Sequence, residues 1–334
     1  MLKTYQTIDE KRDSGNFDYR RVSDFHAFLE EITSDKYRNH CFRGQKDALW
    51  KITSFAQRAW DKEFHGKHHA DKKTAYWQWL QGMPGWARRH PAFFPTDIRC
   101  LLPELGDHEV LGFLQHYGFP TSLVDFSSDF ATALHMAIHS VEPDETPDAF
   151  SIYCFDKEVT INRNEAYGIE EVVKKSREEN SSFSVEQMFN YQCWMSTDGV
   201  FIRKDTDYWH REVAAGRMAS QGGMFVHWPS ERMPLETLFA AQYKMDHGLP
   251  PDRDEEDETE KVVSEIHPDY GKAVEAERCL ERMTCFDIPY AFLAEAKEYC
   301  QVSGKNDDSL GLSKRDVQDP IETLYGKYLE QWRA

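Results

Sequence analysis

The chain has 334 residues, a formal net charge of −18, 40% hydrophobic residues and 13% aromatic residues. This amount of bulky side chain can bury a substantial core, which excludes wholesale disorder. The negative charge disfavours general attraction to nucleic-acid phosphates, so small-molecule or protein partners fit better. No apolar run approaches the roughly 20 residues that a membrane helix needs, and the first residues do not resemble a secretory signal. We therefore expect a cytoplasmic protein with no membrane partner.

Metal binding is not predicted. The seven cysteines are scattered and form no C-x-x-C pair, a pattern typical of reduced thiols that fill a core. His135 and His139 have the H-x-x-x-H spacing that places two imidazoles on one side of a helix. They lie opposite the apolar face of that helix, so we expect them to be exposed to solvent. A metal-dependent hydrolase built on these histidines is the least favoured hypothesis.

The first third of the chain is predicted to form a helix, a strand and an irregular tryptophan-rich region. Apolar residues at helical spacing predict an amphipathic helix over 17–33. The run HCFRGQ at 40–45 predicts a short buried strand that enters a turn. A later helix is expected to break at Pro84-Gly85, because proline lacks the backbone donor that a helix interior requires. We assign core positions to the tryptophans of this region: Trp60, Trp77, Trp79 and Trp86.

The middle of the chain has the clearest helical pattern. Apolar residues from 108 to 117 form one stripe of a helix. Gly118 follows, a residue suited to the left-handed conformation that ends many helices. The run TSLVDF at 121–126 predicts a buried strand, and a further helix is expected over 129–140.

The second half of the chain adds more strands, more helices and an acidic segment. Strands are predicted at 150–155, 199–203, 223–228 and 284–289, and helices at 207–218, 290–302 and 317–333. The segment PPDRDEEDETEK at 250–261 predicts a flexible acidic loop. The mixture of strands and helices favours an α+β or α/β core.

Arg43 is the first candidate site residue, because it lies on a predicted buried strand after Cys41 and Phe42. A buried guanidinium is costly unless it is paired. It could clamp a phosphate or a ribose, for which its planar fork is suited. It could instead form a structural ion pair with Asp125 or Glu109. Both interpretations stay open.

Further polar candidates surround the end of the central helix and the strand after it. Asp125 lies inside an apolar run, and a buried carboxylate there must find an arginine, backbone N–H groups or a ligand. His116 lies off the apolar stripe and could bind a ribose hydroxyl or cap the helix end. Tyr117 lies on the stripe and could belong to the core or to a site. Ser127 and Ser128 are predicted N-caps, and helix N-termini also bind phosphate.

Several of these segments, taken together and in order, resemble the FRG-domain family. The matching segments are CFRGQ at 41–45, LQHYGFPT at 114–121, LVDF at 123–126 with the helix after it, SQGGMF at 220–225 and FDIP at 286–289. The resemblance implies one FRG-type domain covering the chain. Its insertions would fall near 55–100, 158–215 and 245–280.

The layout of that family is similar to the layout of ADP-ribosyltransferases. This likeness implies an α+β fold, with a small mixed sheet flanked by helices and helical insertions. It also implies NAD, or a related dinucleotide, as the ligand. Arg43 would hold the diphosphate or the adenosine ribose, and His116 would position the nicotinamide ribose. The resemblance implies a further set of cofactor-binding residues: Phe42, Gly44, Tyr117, Thr121, Asp125, Ser127 and Ser128.

Gln221 stands where ADP-ribosyltransferases normally carry a glutamate. The oxocarbenium-like charge that develops as the nicotinamide bond breaks calls for an anion, and a neutral amide supplies only a dipole. Gln221 would therefore orient the acceptor. Glu212, on the preceding predicted helix, could supply the missing carboxylate.

The resemblance implies an NAD-dependent ADP-ribosyltransferase or an NAD-hydrolysing effector, in the setting of a bacterial toxin or anti-phage defence. NAD would be a substrate, no metal would be needed, and the acceptor would be a protein or a nucleic acid. The alternative is a non-catalytic module of the same fold that binds a nucleotide or a partner protein.

Overall fold

The fold is described from a computed structural model of the chain. The structure describes residues 4–64, 72–94, 99–100, 102–103, 107–116, 118–139, 141, 148–156, 194–196, 221–227, 233–247, 249, 282–310, 312 and 318–333. The predicted strand at 199–203, the predicted helix at 207–218 and the acidic segment 250–261 lie outside the described residues.

The described residues form seven strands and nine α-helices. The strands are β1 (Asp18–Arg21), β2 (His40–Gln45), β3 (Leu123–Ser127), β4 (Ala149–Asp156), β5 (Trp194–Ser196), β6 (Gly223–His227) and β7 (Thr284–Pro289). The helices are α1 (Ile8–Asp13), α2 (Phe25–Ile32), α3 (Phe55–Phe64), α4 (Lys72–Arg89), α5 (Asp107–His116), α6 (Phe130–Ile138), α7 (Leu235–Asp246), α8 (Leu293–Val302) and α9 (Gln318–Arg333). This is an α+β protein, as the sequence predicted. None of the described helices is both long and apolar enough to cross a membrane.

The chain divides into two compact units. Unit one comprises Met1–Ile52, Ala133–Ser181 and Met233–Glu298. Unit two comprises Thr53–Thr132, Ser182–Arg232 and Tyr299–Ala334. The chain therefore passes from one unit to the other several times. The single FRG-type domain with insertions stays a prediction.

Unit one contains a mixed arrangement of four strands in the order β1-β7-β4-β2. β1 runs parallel to β7, whereas β7, β4 and β2 pair in antiparallel fashion. The seven residues from Ala149 to Phe155 are all buried, which explains why this strand reads as apolar on both faces. The predicted strands at 40–45, 150–155 and 284–289 are confirmed.

The predicted helix over 17–33 is wrong in its first half. Asp18–Arg21 forms β1 and pairs with Thr284–Asp287 of β7. The helix begins only at Phe25, where the Asp24 side chain accepts hydrogen bonds from the backbone N–H groups of His26 and Ala27. Pairing with a strand more than 260 residues away overrides the local helical spacing.

Unit two combines the antiparallel strands β3, β6 and β5 with a helical core. Trp60, Trp79 and Trp86 are buried in that core, as predicted. The predicted break at Pro84 is wrong, because α4 continues through it. A proline removes one backbone hydrogen bond, and burial of the adjacent Met83 and of Ala87 keeps the helix in place.

The end of α5 matches its prediction. Gly118 has φ +85°, and its N–H donates to the Gln115 carbonyl at 3.0 Å. The Phe119 N–H donates to the Leu114 carbonyl at 2.8 Å. These two bonds form a Schellman ending, which directs the chain from the helix toward β3.

Candidate functional site

Arg43 lies in the middle of β2, directly opposite Tyr153 of β4. The side chain is half-buried. Because side chains alternate along a strand, Arg43 and Gln45 share one face of β2, and Phe42 and Gly44 share the other. Arg43 therefore lies on a strand, as the sequence predicted. Its side chain is on the opposite face of β2 from Phe42 and Gly44, the other two residues of the Phe-Arg-Gly motif.

Gly44 allows helix α6 to approach β2 closely. A Cβ at position 44 would overlap the Ala133 carbonyl oxygen and would lie 2.8 Å from the Ala137 backbone nitrogen. No side chain can be accommodated there unless the helix moves. The glycine of the CFRGQ motif thus has a packing function, and its predicted contact with a cofactor stays untested.

The face of unit one that carries Arg43 also contains a buried charged cluster. The Lys11 Nζ lies 2.6 Å from Asp287 Oδ1 and 2.9 Å from Ser151 Oγ, and all three side chains are fully buried. Ser151 is opposite Asp287 on one neighbouring strand and opposite Gln45 on the other. Sequence reasoning missed this cluster. Its signal was a serine and an aspartate within otherwise apolar strands.

In unit two, three residues around the end of α5 form a hydrogen-bonded chain. The Gln115 Nε2 donates to Asp125 Oδ2 at 2.7 Å, and the Thr121 hydroxyl donates to Gln115 Oε1 at 2.7 Å. Thr121 is fully buried and also accepts from the Leu123 N–H at 3.2 Å. Gln115 was not among the predicted site residues, although it lies within the LQHYGFPT motif.

Asp125 is exposed, and the expectation of a buried carboxylate is wrong. Its four strand neighbours, Leu123, Val124, Phe126 and Ser127, are all buried. An apolar run indicates that most of a strand is buried, but it does not show which way one side chain points. Asp125 therefore presents a carboxylate to solvent from an otherwise buried strand, while Gln115 holds it in place.

The predicted caps of α6 are also wrong, because Asp129 caps this helix. Asp129 Oδ1 accepts from the Ala131 N–H at 3.1 Å, and Oδ2 accepts from the Thr132 hydroxyl at 2.7 Å. Lys305 Nζ lies 2.6 Å from the same carboxylate. Burial opposes ionisation, but the bonds from Lys305 and Thr132 hold the pKa of Asp129 below its ordinary value.

The two serines are used inside unit two. The Ser127 hydroxyl donates to the Gln221 carbonyl at 2.6 Å and accepts from the Asp129 N–H at 3.0 Å. The Ser128 hydroxyl donates to the Gly222 carbonyl at 3.3 Å. Because a carboxylate already occupies the positive end of α6, a phosphate there would face a like charge. The geometry does not favour the phosphate-binding role.

Gln221 is half-buried at the start of the turn before β6. Its Nε2 donates to the Leu310 carbonyl at 2.8 Å. Gly222 follows with φ +56°, and a Cβ there would lie 2.8 Å from the Ser128 hydroxyl. The amide of Gln221 thus ties two segments of unit two together.

The family profile of the FRG domain matches residues 38–146. This stretch of the chain is similar to FRG domains. The matched stretch contains CFRGQ, LQHYGFPT and LVDF, and it ends before the two later segments that resemble the family. No curated protein and no solved structure matches the sequence.

The predicted site residues are distributed over both units. Phe42, Arg43 and Gly44 belong to unit one, and Thr121, Asp125, Ser127, Ser128 and Gln221 belong to unit two. His116 is the last residue of α5, and its side chain is not described. Tyr117 and Glu212 lie outside the described residues. The roles assigned to these three residues stay predictions.

Within the part of the chain that the structure describes, no three histidine, cysteine or acidic side chains are grouped as they would be around a metal ion. His139 is exposed, as expected, whereas His135 is half-buried. Their rings lie 5.7 Å apart, centroid to centroid.

Proposed function

We propose that this protein binds NAD and either transfers its ADP-ribose to a macromolecule or hydrolyses it. The observation that best supports this proposal is the pair formed by Gln115 and Asp125. A carboxylate is the group with which many dinucleotide-binding proteins hold a ribose diol. Asp125 offers such a carboxylate to solvent from a strand that is otherwise buried.

The hydrogen bonds of Gln115 give this carboxylate a defined orientation. The side-chain nitrogen of Gln115 donates to Asp125, and its side-chain oxygen accepts from the buried Thr121 hydroxyl. With both ends of the amide engaged, rotation of Gln115 would break two bonds at once. Preorganisation of this kind supports ligand binding, because the protein orders fewer groups when the ligand arrives.

Asp125 also supplies the negative charge that Gln221 lacks. Cleavage of the nicotinamide bond develops positive charge on the ribose, and a preoriented anion stabilises that charge. Gln221 is neutral, and its amide nitrogen is bound to the Leu310 carbonyl. We therefore assign the electrostatic role to Asp125 and the positioning of Asp125 to Gln115. The diphosphate-binding role of Arg43, which belongs to unit one, stays a prediction of the family resemblance.

Consumption of NAD would suit an effector in a toxin or in anti-phage defence. An ADP-ribosyltransferase-like core is the fold that the resemblance implies for such an activity. The acceptor would be a protein or a nucleic acid. These parts of the proposal are supported by the resemblance alone.

A second candidate is a non-catalytic module that binds a nucleotide or a protein. The engagement of the Gln221 amide by the Leu310 carbonyl favours it, because an amide used for packing is not available to orient an acceptor. In that case Asp125 would contribute to binding, and no nicotinamide would be released.

Incubation of the protein with labelled NAD, with and without cell extract, tests the proposal. Free nicotinamide and labelled macromolecules report turnover, and a rise in melting temperature reports binding. We expect Asp125→Asn to lower nicotinamide release by about 100-fold, the magnitude seen when one electrostatic group is lost. His139→Ala, which changes an exposed residue, is the matched control.

The outcomes separate the two candidates. Stabilisation by NAD without nicotinamide release supports the binding module. If NAD neither stabilises the protein nor is consumed, both forms of the NAD proposal fail.

A further inference from the structure

Residues 4–17, here named the clasp segment, are held on unit one by three buried side chains. These are Tyr5, Lys11 and Phe17, spaced six residues apart. The Tyr5 N–H also donates to the Leu49 carbonyl at 2.7 Å. The remaining residues of the segment are exposed or half-buried. The clasp segment therefore depends on a few anchors.

The Lys11 anchor is a buried ion pair. Its Nζ lies 2.6 Å from Asp287 Oδ1 and 4.9 Å from the centroid of the Tyr153 ring. The opposite charge of Asp287 compensates the buried ammonium, and Ser151 provides a further hydrogen bond at 2.9 Å. The ion pair and this hydrogen bond attach the middle of the clasp segment to unit one.

The Tyr5 anchor depends on a carboxyl group that forms no ion pair with any residue that the structure describes. Glu236 is fully buried in the first turn of α7. Its Oε1 accepts from the Tyr5 hydroxyl at 3.1 Å, and its Oε2 accepts from the Ile52 N–H at 3.0 Å. One carboxyl group thus joins the clasp segment, the chain after β2 and the start of α7.

The groups that face Glu236 only partly compensate a negative charge. Tyr5 and Tyr153 are neutral phenols, and Asn16 donates to the Tyr5 hydroxyl at 3.4 Å. Among the described cations, Lys51 lowers the pKa of Glu236, and its Nζ lies 4.8 Å from the Tyr5 ring centroid. Burial outweighs these contributions and raises the pKa of Glu236 to about 7.

The direction of the pH effect follows from this shift. The pKa of Glu236 in the folded protein lies above its ordinary value of 4.5. Its contribution to stability is therefore complete below that ordinary value and is lost as the pH rises through about 7. Movement of Tyr5 away from α7 would hydrate the ionised carboxylate.

We propose that the clasp segment is a pH-controlled strap, attached at Lys11 and released at Tyr5 when Glu236 ionises. At acid pH the clasp segment is bound to unit one at both Lys11 and Tyr5. As the pH rises, its Tyr5 end dissociates from α7. This device goes beyond the proposed function and does not depend on it. It acts near Arg43, because Tyr153, the ring beneath Lys11, stands opposite Arg43 in the strand register.

Amide hydrogen exchange at Tyr5 tests the proposal directly. After correction for the intrinsic pH dependence of exchange, protection of the Tyr5 amide should fall by up to about fiftyfold between pH 5 and pH 8. In Glu236→Gln, which keeps the shape and a hydrogen-bonding oxygen, protection should not change with pH. Glu30→Gln is the matched control, because Glu30 is an acidic residue of unit one with a side chain that is 73% exposed.

Two results would overturn the strap. One is equal protection of the wild-type Tyr5 amide at pH 5 and pH 8. The other is the same loss of protection in Glu236→Gln as in wild type. If Glu236→Gln does not fold, the wild-type and Glu30→Gln profiles decide: a midpoint near the Glu236 pKa of about 7 in both supports the strap, and its absence overturns it.

Discussion

Asp125 and Asp287 occupy nearly identical sequence settings and have opposite environments. Each is the one acidic residue of a short apolar strand, in TSLVDF and in TCFDIP. Asp287 is fully buried in unit one and bound to a lysine, whereas Asp125 is exposed in unit two and held by a glutamine. A buried carboxylate requires a cation, while an exposed one can be oriented by a neutral amide. Glu236 is a third case: it is buried, and among the described residues no cation is bound to it.

Removal of the Lys11 charge from the buried ion pair should give the largest change in the free energy of unfolding. Lys11→Met leaves Asp287 as an uncompensated charge in the core, so the free energy of unfolding should fall by about 3–5 kcal/mol. Urea denaturation at pH 7 measures this change. Asp287→Leu combined with Lys11→Met should recover most of the loss, because both charges are then gone. Equal destabilisation of the single and double variants would show that the charge is not the cause.

The second prediction concerns the buried carboxyl group of Glu236. Because the pKa of Glu236 is raised to about 7, its contribution favours the folded state most in acid and disappears as the pH rises through that value. Between pH 4.5 and pH 8 the wild type should lose at most about 3 kcal/mol relative to Glu236→Gln. Parallel denaturation series at each pH provide the measurement. The prediction would be contradicted if the free energies of unfolding of the two proteins differed by the same amount at every pH.

A smaller change in the free energy of unfolding is expected when Gln115, which orients the exposed carboxylate of Asp125, is replaced. Gln115→Met keeps the volume and leaves the buried Thr121 hydroxyl without its acceptor, so the free energy of unfolding should fall by about 1–2 kcal/mol. Denaturation at neutral pH measures it. Gln115→Glu keeps an acceptor for Thr121 but repels Asp125, so it should resemble Gln115→Met only at pH values where both carboxyl groups are ionised.

The smallest change in stability should follow replacement of the exposed carboxylate itself. Asp125→Asn keeps an oxygen that can accept from Gln115, and it should alter the free energy of unfolding by less than about 0.5 kcal/mol. Its effect on nicotinamide release should be far larger, as proposed above. A loss of stability comparable to that of Lys11→Met would mean that Asp125 is structural, and the comparison between the two aspartates would fail.

Local chemistry in the sequence was enough for several elements. Helix α5 with its Gly118 ending, strand β7 and the buried strand β4 were predicted closely, because spacing and turn residues act over a few positions. The FRG resemblance also followed from short motifs, and the family profile supports it over 38–146. Of the site, Arg43 on a strand was predicted. Gln115 was not predicted, although it lies inside the LQHYGFPT motif.

The sequence by itself determined the α+β class, most strand positions and the FRG resemblance of residues 38–146, since these depend on local periodicity and on motifs. Only the tertiary structure decided that Asp287 is buried and Asp125 exposed, that Asp129 caps α6, and that residues 18–21 form a strand. The reason is physical: whether a charge can be buried depends on a partner that reaches it. Lys11 reaches Asp287 from 276 positions away in the chain.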